Sequence, residues 1–205
     1  MKLPKITIGQ KPTYQKVGED IDIFALFQKI EQEFSTCFLF ESLGEEGKFS
    51  RYTIIGFDPA HIISGRGKNI TIDGQSFSVA NPYESLREIM PQKAIARNYA
   101  GGLVGYLSYE AVNYFEPALD IKVHDKFDPF LFGVYTDGVI FDKVTNELFY
   151  FYYDVDRREM LQKVMQKKVK KQQLAVKLIG DTVTKEEHAL VVEKVQEQIR
   201  AGNTF

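Results

Sequence analysis

Apolar and polar residues follow two periods along this chain, and together these predict most of its secondary structure. Strand-like runs, apolar or alternating, are bounded by turn residues such as Asp73-Gly74. They predict strands over residues 13–17, 38–40, 54–57, 60–65, 68–72, 76–79, 127–141 and 147–154. The order of hairpins and isolated helices predicts an α+β fold, with largely antiparallel β-sheets and helices outside.

Helical spacing of apolar residues predicts four helices. We expect Asp20 to cap the first, which runs to Phe34, and Asn81 to cap the second, which begins with Pro82. A basic amphipathic helix is predicted over residues 156–178, and a Thr184-x-x-Glu187 capping box predicts the start of a last helix that ends at Arg200. Residues 92–99 are predicted to form a linker.

Composition and charge exclude several classes of protein. The 205 residues are 44% hydrophobic and 26% charged with a formal net charge of −2, which is typical of a globular protein and favours neither nucleic acid nor an anionic membrane. A solvated face therefore explains the basic helix better than a nucleic-acid site does. The first residues lack the apolar core of a secretory signal, and no apolar run is long enough to span a bilayer, so we expect a cytoplasmic protein.

The remaining reactive residue types offer little chemistry. Cys37 is the single cysteine and lies in an apolar run, so we expect a buried, inert thiol. The three histidines are scattered without neighbouring ligands, which argues against a zinc site. Gly65 and Gly67 lack the third glycine and following helix of a dinucleotide fingerprint, and we interpret them as a turn.

A polar loop between two apolar runs, 38–40 and 54–57, is the most distinctive stretch. It carries Glu41, Ser42 and Lys48 among glycines that favour a hairpin turn. On composition alone, a solvated hairpin tip is the simpler interpretation. A ligand site is the alternative, because the same loop places a hydroxyl, carboxylates and an ammonium at the edge of a buried scaffold.

Four motifs, in order, carry a resemblance to a known family. Residues 39–42 resemble an L-L-E-S element and residues 51–56 resemble R-Y-S-[FI]-I-G, with Thr53 in place of serine. Residues 101–116 resemble G-G-x-[VLI]-G-Y-x-x-Y-[DE]-x-[VA]-R-x-[FWY]-E, with Asn113 in place of arginine, and residues 199–205 resemble I-x-x-G-[DN]-x-[FY]. Together they are similar to the N-terminal part of component I of anthranilate synthase, a chorismate-binding enzyme.

The resemblance implies a fold and a function. In this family two sheets pack face to face, and residues 1–180 would form an N-terminal regulatory region, with 181–205 starting the chorismate-binding region. The family's enzymes, lyases of tryptophan biosynthesis, make anthranilate from chorismate with Mg²⁺ and ammonia, which a glutamine amidotransferase subunit, component II, supplies. The catalytic and metal-binding carboxylates of the family lie beyond the matched region, so this chain is expected to be inactive alone.

The resemblance also implies a regulatory site for L-tryptophan at the polar loop. Ser42 and the loop backbone would donate to the ligand carboxylate, Glu41 or backbone carbonyls would accept from its ammonium, and Lys48 would add positive charge near the carboxylate. Phe40 would form an apolar wall, unless strand alternation turns its ring into the core. Two alternatives stay open: component I of 4-amino-4-deoxychorismate synthase in the folate pathway, and a stand-alone amino-acid-binding module.

Overall fold

The computed structural model describes residues 2–42, 44, 50–91, 99–169 and 175–205. Their strands form two five-stranded antiparallel sheets, so the expected α+β class is confirmed. The first sheet has the order β1-β10-β9-β3-β2 and the second β6-β5-β4-β8-β7. The strands are β1 Thr13–Glu19, β2 Cys37–Glu41, β3 Tyr52–Phe57, β4 His61–Arg66, β5 Asn69–Ile72, β6 Gln75–Ser78, β7 Gly102–Leu107, β8 Phe130–Tyr135, β9 Asp137–Asp142 and β10 Glu147–Tyr152.

The helices begin mostly where the sequence predicts. They are α1 Ile23–Glu33, α2 Pro82–Ile89, α3 Arg158–Gln166 and α4 Lys185–Arg200, with 3₁₀ turns at Tyr109–Tyr114 and Pro117–Leu119. Asn81 caps α2, and the capping box of α4 is formed. The predicted cap of α1 is wrong: Asp22 accepts from the backbone N–H of Ala25, whereas Asp20 has a φ of 51° and forms a turn.

The basic helix is shorter than predicted. Helix α3 ends at Gln166, and Lys167 already has extended backbone. Residues 170–174 of the predicted helix lie outside the described residues, and 175–178 are not helical. The apolar stripe of α3 faces the first sheet, so the length of the helix follows the sheet that it covers.

Each sheet buries one face under helices. Helices α1 and α3 cover the first sheet, and α2 covers the second. The first core contains Ile23, Leu26, Ile30, Ile55, Phe57, Val139, Phe141, Leu148, Tyr150, Leu161 and Val164. The second contains Ile6, Ile63, Ile70, Ile72, Phe77, Leu86, Ile89, Phe130 and Val134.

The prediction of one long strand over residues 127–141 is wrong, because the chain passes from one sheet to the other within this range. Strand β8 pairs with β4 and β7 in the second sheet, and β9 pairs with β3 and β10 in the first. The change occurs at Thr136, between two strands that are both apolar, so periodicity alone does not reveal it. At this crossing Tyr135 packs edge-on against Phe38, with ring centroids 4.8 Å apart.

The chain divides into two compact units, Met1–Val169 and Lys170–Phe205. The predicted functional boundary at residue 180 stays a prediction. In the second unit, helix α4 leaves Leu190, Val191, Val195 and Ile199 about half exposed. Among the described residues, no helix is both long enough and apolar enough to cross a membrane.

Candidate functional site

The predicted site lies at the end of β2, an edge strand of the first sheet. Strand β2 pairs antiparallel with β3, with Glu41 opposite Thr53. Side chains alternate along it: Cys37 and Leu39 pack against the helix-covered core, whereas the rings of Phe38 and Phe40 contact each other with centroids 4.6 Å apart. Phe40 and Glu41 therefore extend from opposite faces of the sheet.

The carboxylate of Glu41 is held by a lysine that lies two strands away in the same sheet. Lys143 Nζ lies 3.3 Å from Glu41 Oε1, and the two side chains are only 19% and 17% exposed. The same ammonium donates to the backbone carbonyl of Ser42 at 2.7 Å. Lys143 follows β9, and its backbone N–H donates to the carbonyl of Arg51, which continues the pairing of β3 with β9.

These groups line an open depression of about 300 Å³. Its apolar wall is formed by Ile23 at the start of α1 and by Phe141 of β9. The polar part of its lining comes from Glu41, Ser42 and Lys143, and Gly44 and Asn146 complete it. A carboxylate and a carbonyl that converge on one point are acceptors suited to an ammonium group. These groups have the chemistry that an amine beside an apolar substituent requires.

A second ion pair fixes the start of β3. Arg51 donates to both carboxylate oxygens of Asp142, from Nε at 3.0 Å to each and from Nη2 at 2.6 Å. Asp142 is 5% exposed, and the Arg51 guanidinium holds the pKa of its carboxyl below the usual range. The guanidinium also lies over the ring of Tyr52, 5.1 Å from its centroid. This ion pair holds together the strand ends that carry Glu41 and Lys143.

Three of the four predicted site residues lie together at the end of β2. Glu41 and Ser42 come together, although the part of Ser42 in use is its carbonyl; its side chain is exposed. Phe40 is half exposed on the other face, where it lines a second open depression of about 460 Å³ together with Glu41, Ser42 and Tyr52. Lys48 lies outside the described residues. The ligand roles assigned to these four residues stay predictions.

Sequence reasoning missed Lys143. It is separated from Ser42 by 101 positions, and only the pairing of β3 with both β2 and β9 brings the two together. The one available signal was its place directly after a strand that ends in Phe141-Asp142. Cys37, expected to be buried, is partly buried against the first core, and burial raises the pKa of its thiol.

Comparison with known proteins shows a consistent likeness. The family model described as chorismate binding enzyme matches residues 35–205. Anthranilate synthase component 1 of Leptospira biflexa is 41% identical over 209 residues, covering 99% of this chain and 45% of that protein. The protein of the same name from Methanothermobacter thermautotrophicus is 29% identical, covering 98% of this chain and 43% of its own length.

A solved structure agrees in fold. The crystal structure of anthranilate synthase component I from Streptococcus pneumoniae TIGR4 matches with a TM-score of 0.56 and 17% sequence identity. The match covers 80% of this chain and 41% of that one. This chain thus spans less than half the length of each of these three relatives.

Proposed function

Because the chain belongs to the chorismate-binding enzyme family, we propose that it is the N-terminal part of an anthranilate synthase component I. The proposed whole enzyme is a lyase that makes anthranilate from chorismate and ammonia in tryptophan biosynthesis. The observation that carries this proposal is the similarity, over nearly the whole chain, to proteins named anthranilate synthase component 1. The name component I implies a component II, and we propose that this partner subunit is a glutamine amidotransferase. We also propose that the enzyme acts in the cytoplasm.

The chemical step is assigned to residues outside this chain. In the part of the chain that the structure describes, no three His, Cys, Asp or Glu side chains are grouped so that they could hold a metal ion. The described residues therefore do not form a site for the Mg²⁺ of the proposed reaction. We therefore expect no conversion of chorismate by residues 1–205 alone.

The role that we propose for this part is regulatory. The depression at Glu41 offers acceptors for an ammonium and apolar wall for a ring, which are the chemical requirements of an aromatic amino acid. L-Tryptophan is the proposed ligand, because it is the end product of the proposed pathway. It would inhibit by binding the inactive arrangement of the enzyme's two parts more tightly than the active one.

Steady-state kinetics test both proposals. Protein from the reading frame that contains this chain is given chorismate, Mg²⁺ and ammonia, and the fluorescence of anthranilate is followed with and without L-tryptophan. We expect anthranilate formation that L-tryptophan suppresses. The Ser42→Arg variant is expected to turn over normally and to lose inhibition, because a long charged side chain would fill the edge of the depression.

Two results would change the assignment. Formation of 4-amino-4-deoxychorismate instead would move the protein to the related folate-pathway synthase, and inhibition that Ser42→Arg leaves intact would remove Ser42 from the site. Absence of any chorismate turnover, combined with tryptophan binding, would favour a stand-alone amino-acid-binding module. Turnover by residues 1–205 alone would contradict the placement of the chemistry.

A further inference from the structure

Lys143 occupies the position that a ligand amine would need. Its ammonium contacts the Glu41 carboxylate at 3.3 Å and the Ser42 carbonyl at 2.7 Å, and both of these residues line the depression. Both side chains of the Glu41 and Lys143 pair are more than four-fifths buried, so water screens the pair weakly. From this geometry, we propose that Lys143 is an internal competitor for the ammonium subsite and sets the affinity for amine ligands.

This proposal rests on the amino-acid site proposed above, but not on catalysis. An arriving ammonium finds one carboxylate and one carbonyl, both already used by Lys143. Two ammonium groups at the same acceptors repel each other, so the ligand must displace Lys143. The lysine has a flexible four-carbon stem and follows a strand end, so it can swing away without a change in the sheet.

Competition of this kind multiplies the apparent affinity by the fraction of molecules in which the internal pair is open. A pair formed about nine-tenths of the time leaves one-tenth of the molecules competent, and it reduces the apparent affinity about tenfold. The device would keep the site empty at low ligand concentration, so that only an accumulated amino acid binds. Removal of the lysine ammonium should therefore tighten the binding of every ligand that carries an amine.

A pair of ligand fragments separates this role from the opposite one. Tryptamine keeps the amine and lacks the carboxylate, whereas indole-3-propionate keeps the carboxylate and lacks the amine. If Lys143 competes with the amine, Lys143→Met strengthens tryptamine binding about tenfold and does not weaken indole-3-propionate binding. If Lys143 instead binds the ligand carboxylate, the same variant weakens the binding of both indole-3-propionate and L-tryptophan.

The experiment is isothermal titration calorimetry of each fragment with protein from the whole reading frame, at neutral pH. Lys143→Gln is the second variant, since it removes the charge and keeps a donor toward Ser42 if Lys143→Met does not fold. The matched control is Lys16→Met: Lys16 also forms ion pairs in the first sheet, with Glu19 and Glu147 at 2.8 and 2.9 Å, but on β1 at the opposite edge.

We expect tighter tryptamine binding in both Lys143 variants and unchanged binding in the control. Unchanged or weaker tryptamine binding would overturn the proposal, as would weaker indole-3-propionate binding or the absence of tryptamine binding in all the proteins. The outcome is independent of the reaction: a protein that makes no anthranilate but binds tryptamine more tightly without Lys143 contradicts the proposed function and supports this inference.

Discussion

Arg157 donates two hydrogen bonds to the carboxylate of Asp137, from Nε at 2.8 Å and from Nη2 at 2.5 Å. Asp137 opens β9 and is 3% exposed, and it also accepts from the hydroxyl of the buried Tyr150 at 2.6 Å. Arg157 Nη1 pairs with Asp58 in the turn after β3. The network thus joins the start of α3 to the point where the chain changes sheets.

Removal of Arg157 should therefore destabilise the fold. Arg157→Leu leaves the buried Asp137 carboxylate without its cation, and we expect a loss of about 3 kcal/mol in the free energy of unfolding. Denaturant titration measures this loss. Arg158→Leu is the control, because Arg158 pairs with Asp156 at the surface and little change is expected there. Equal losses in the two variants would contradict a special role for the buried pair.

Stability should fall at alkaline pH. Burial raises the pKa of Tyr99 to about 12 and that of Tyr135 to about 12. Unfolded tyrosine titrates near pH 10, so as the pH rises the unfolded state releases these protons first. The contribution of both tyrosines is present below about pH 10 and is lost between about pH 10 and 12. Denaturant titrations across this range measure the slope.

The Tyr135→Phe variant isolates one of these contributions. It has no proton to release, so its free energy of unfolding should depend less steeply on pH above about pH 10 than that of the wild type. Each protein at neutral pH is its own control, because there every tyrosine that it retains is protonated in both the folded and the unfolded state. An unchanged alkaline slope in Tyr135→Phe would contradict the assignment to Tyr135.

Gly65 lies within β4 and not in the turn predicted for it, and its lack of a side chain leaves room for Phe130. It lies opposite Phe130 in the pairing of β4 with β8, and a Cβ at this position would come within 2.2 Å of Phe130 Cε1. Gly65→Ala should therefore cost about 1–3 kcal/mol in the free energy of unfolding. The double variant with Phe130→Leu should lose less than the sum of the two single losses, because the smaller side chain relieves the clash. Additive losses would argue against this contact.

Thr53 carries a buried hydroxyl that finds no hydrogen-bond partner among the residues that the structure describes. Thr53→Val keeps the shape of the side chain and removes the unsatisfied hydroxyl. Thermal unfolding should therefore show a free energy of unfolding that is about 1 kcal/mol higher. The reciprocal control is Val139→Thr on the same buried face, which should cost about 1–3 kcal/mol. A loss of stability in Thr53→Val would mean that its hydroxyl is hydrogen-bonded.

Much of the fold could be predicted from local signals. The caps at Asn81 and Thr184 and the turn at Asp73-Gly74 are formed by residues close together in sequence, and all three are confirmed. The α+β class was predicted from the order of strands and helices, which these local signals also reveal. The cap of α1 was misplaced by two residues, since Asp20 and Asp22 carry the same side chain and only the backbone decides which one accepts.

The candidate site could be predicted only in part. The motif at residues 39–42 marked the correct strand end, but the motif does not say which face each side chain occupies. The structure sets Phe40 and Glu41 on opposite faces and supplies Lys143 as the partner of Glu41. The residues between Gly44 and Ser50 lie outside the described part, so the role of Lys48 stays a prediction.

By itself, the sequence determined the family, the kinds of element and most of their ends, because motifs, periodicity and capping act over a few residues. Only the tertiary structure decided that β8 and β9 belong to different sheets and that Lys143 meets Glu41. Both depend on strand pairing between distant segments, which is set by the burial of whole faces rather than by any local run. A continuous apolar stretch can form a strand in either sheet, and the packing of α1, α2 and α3 determines which sheet it joins.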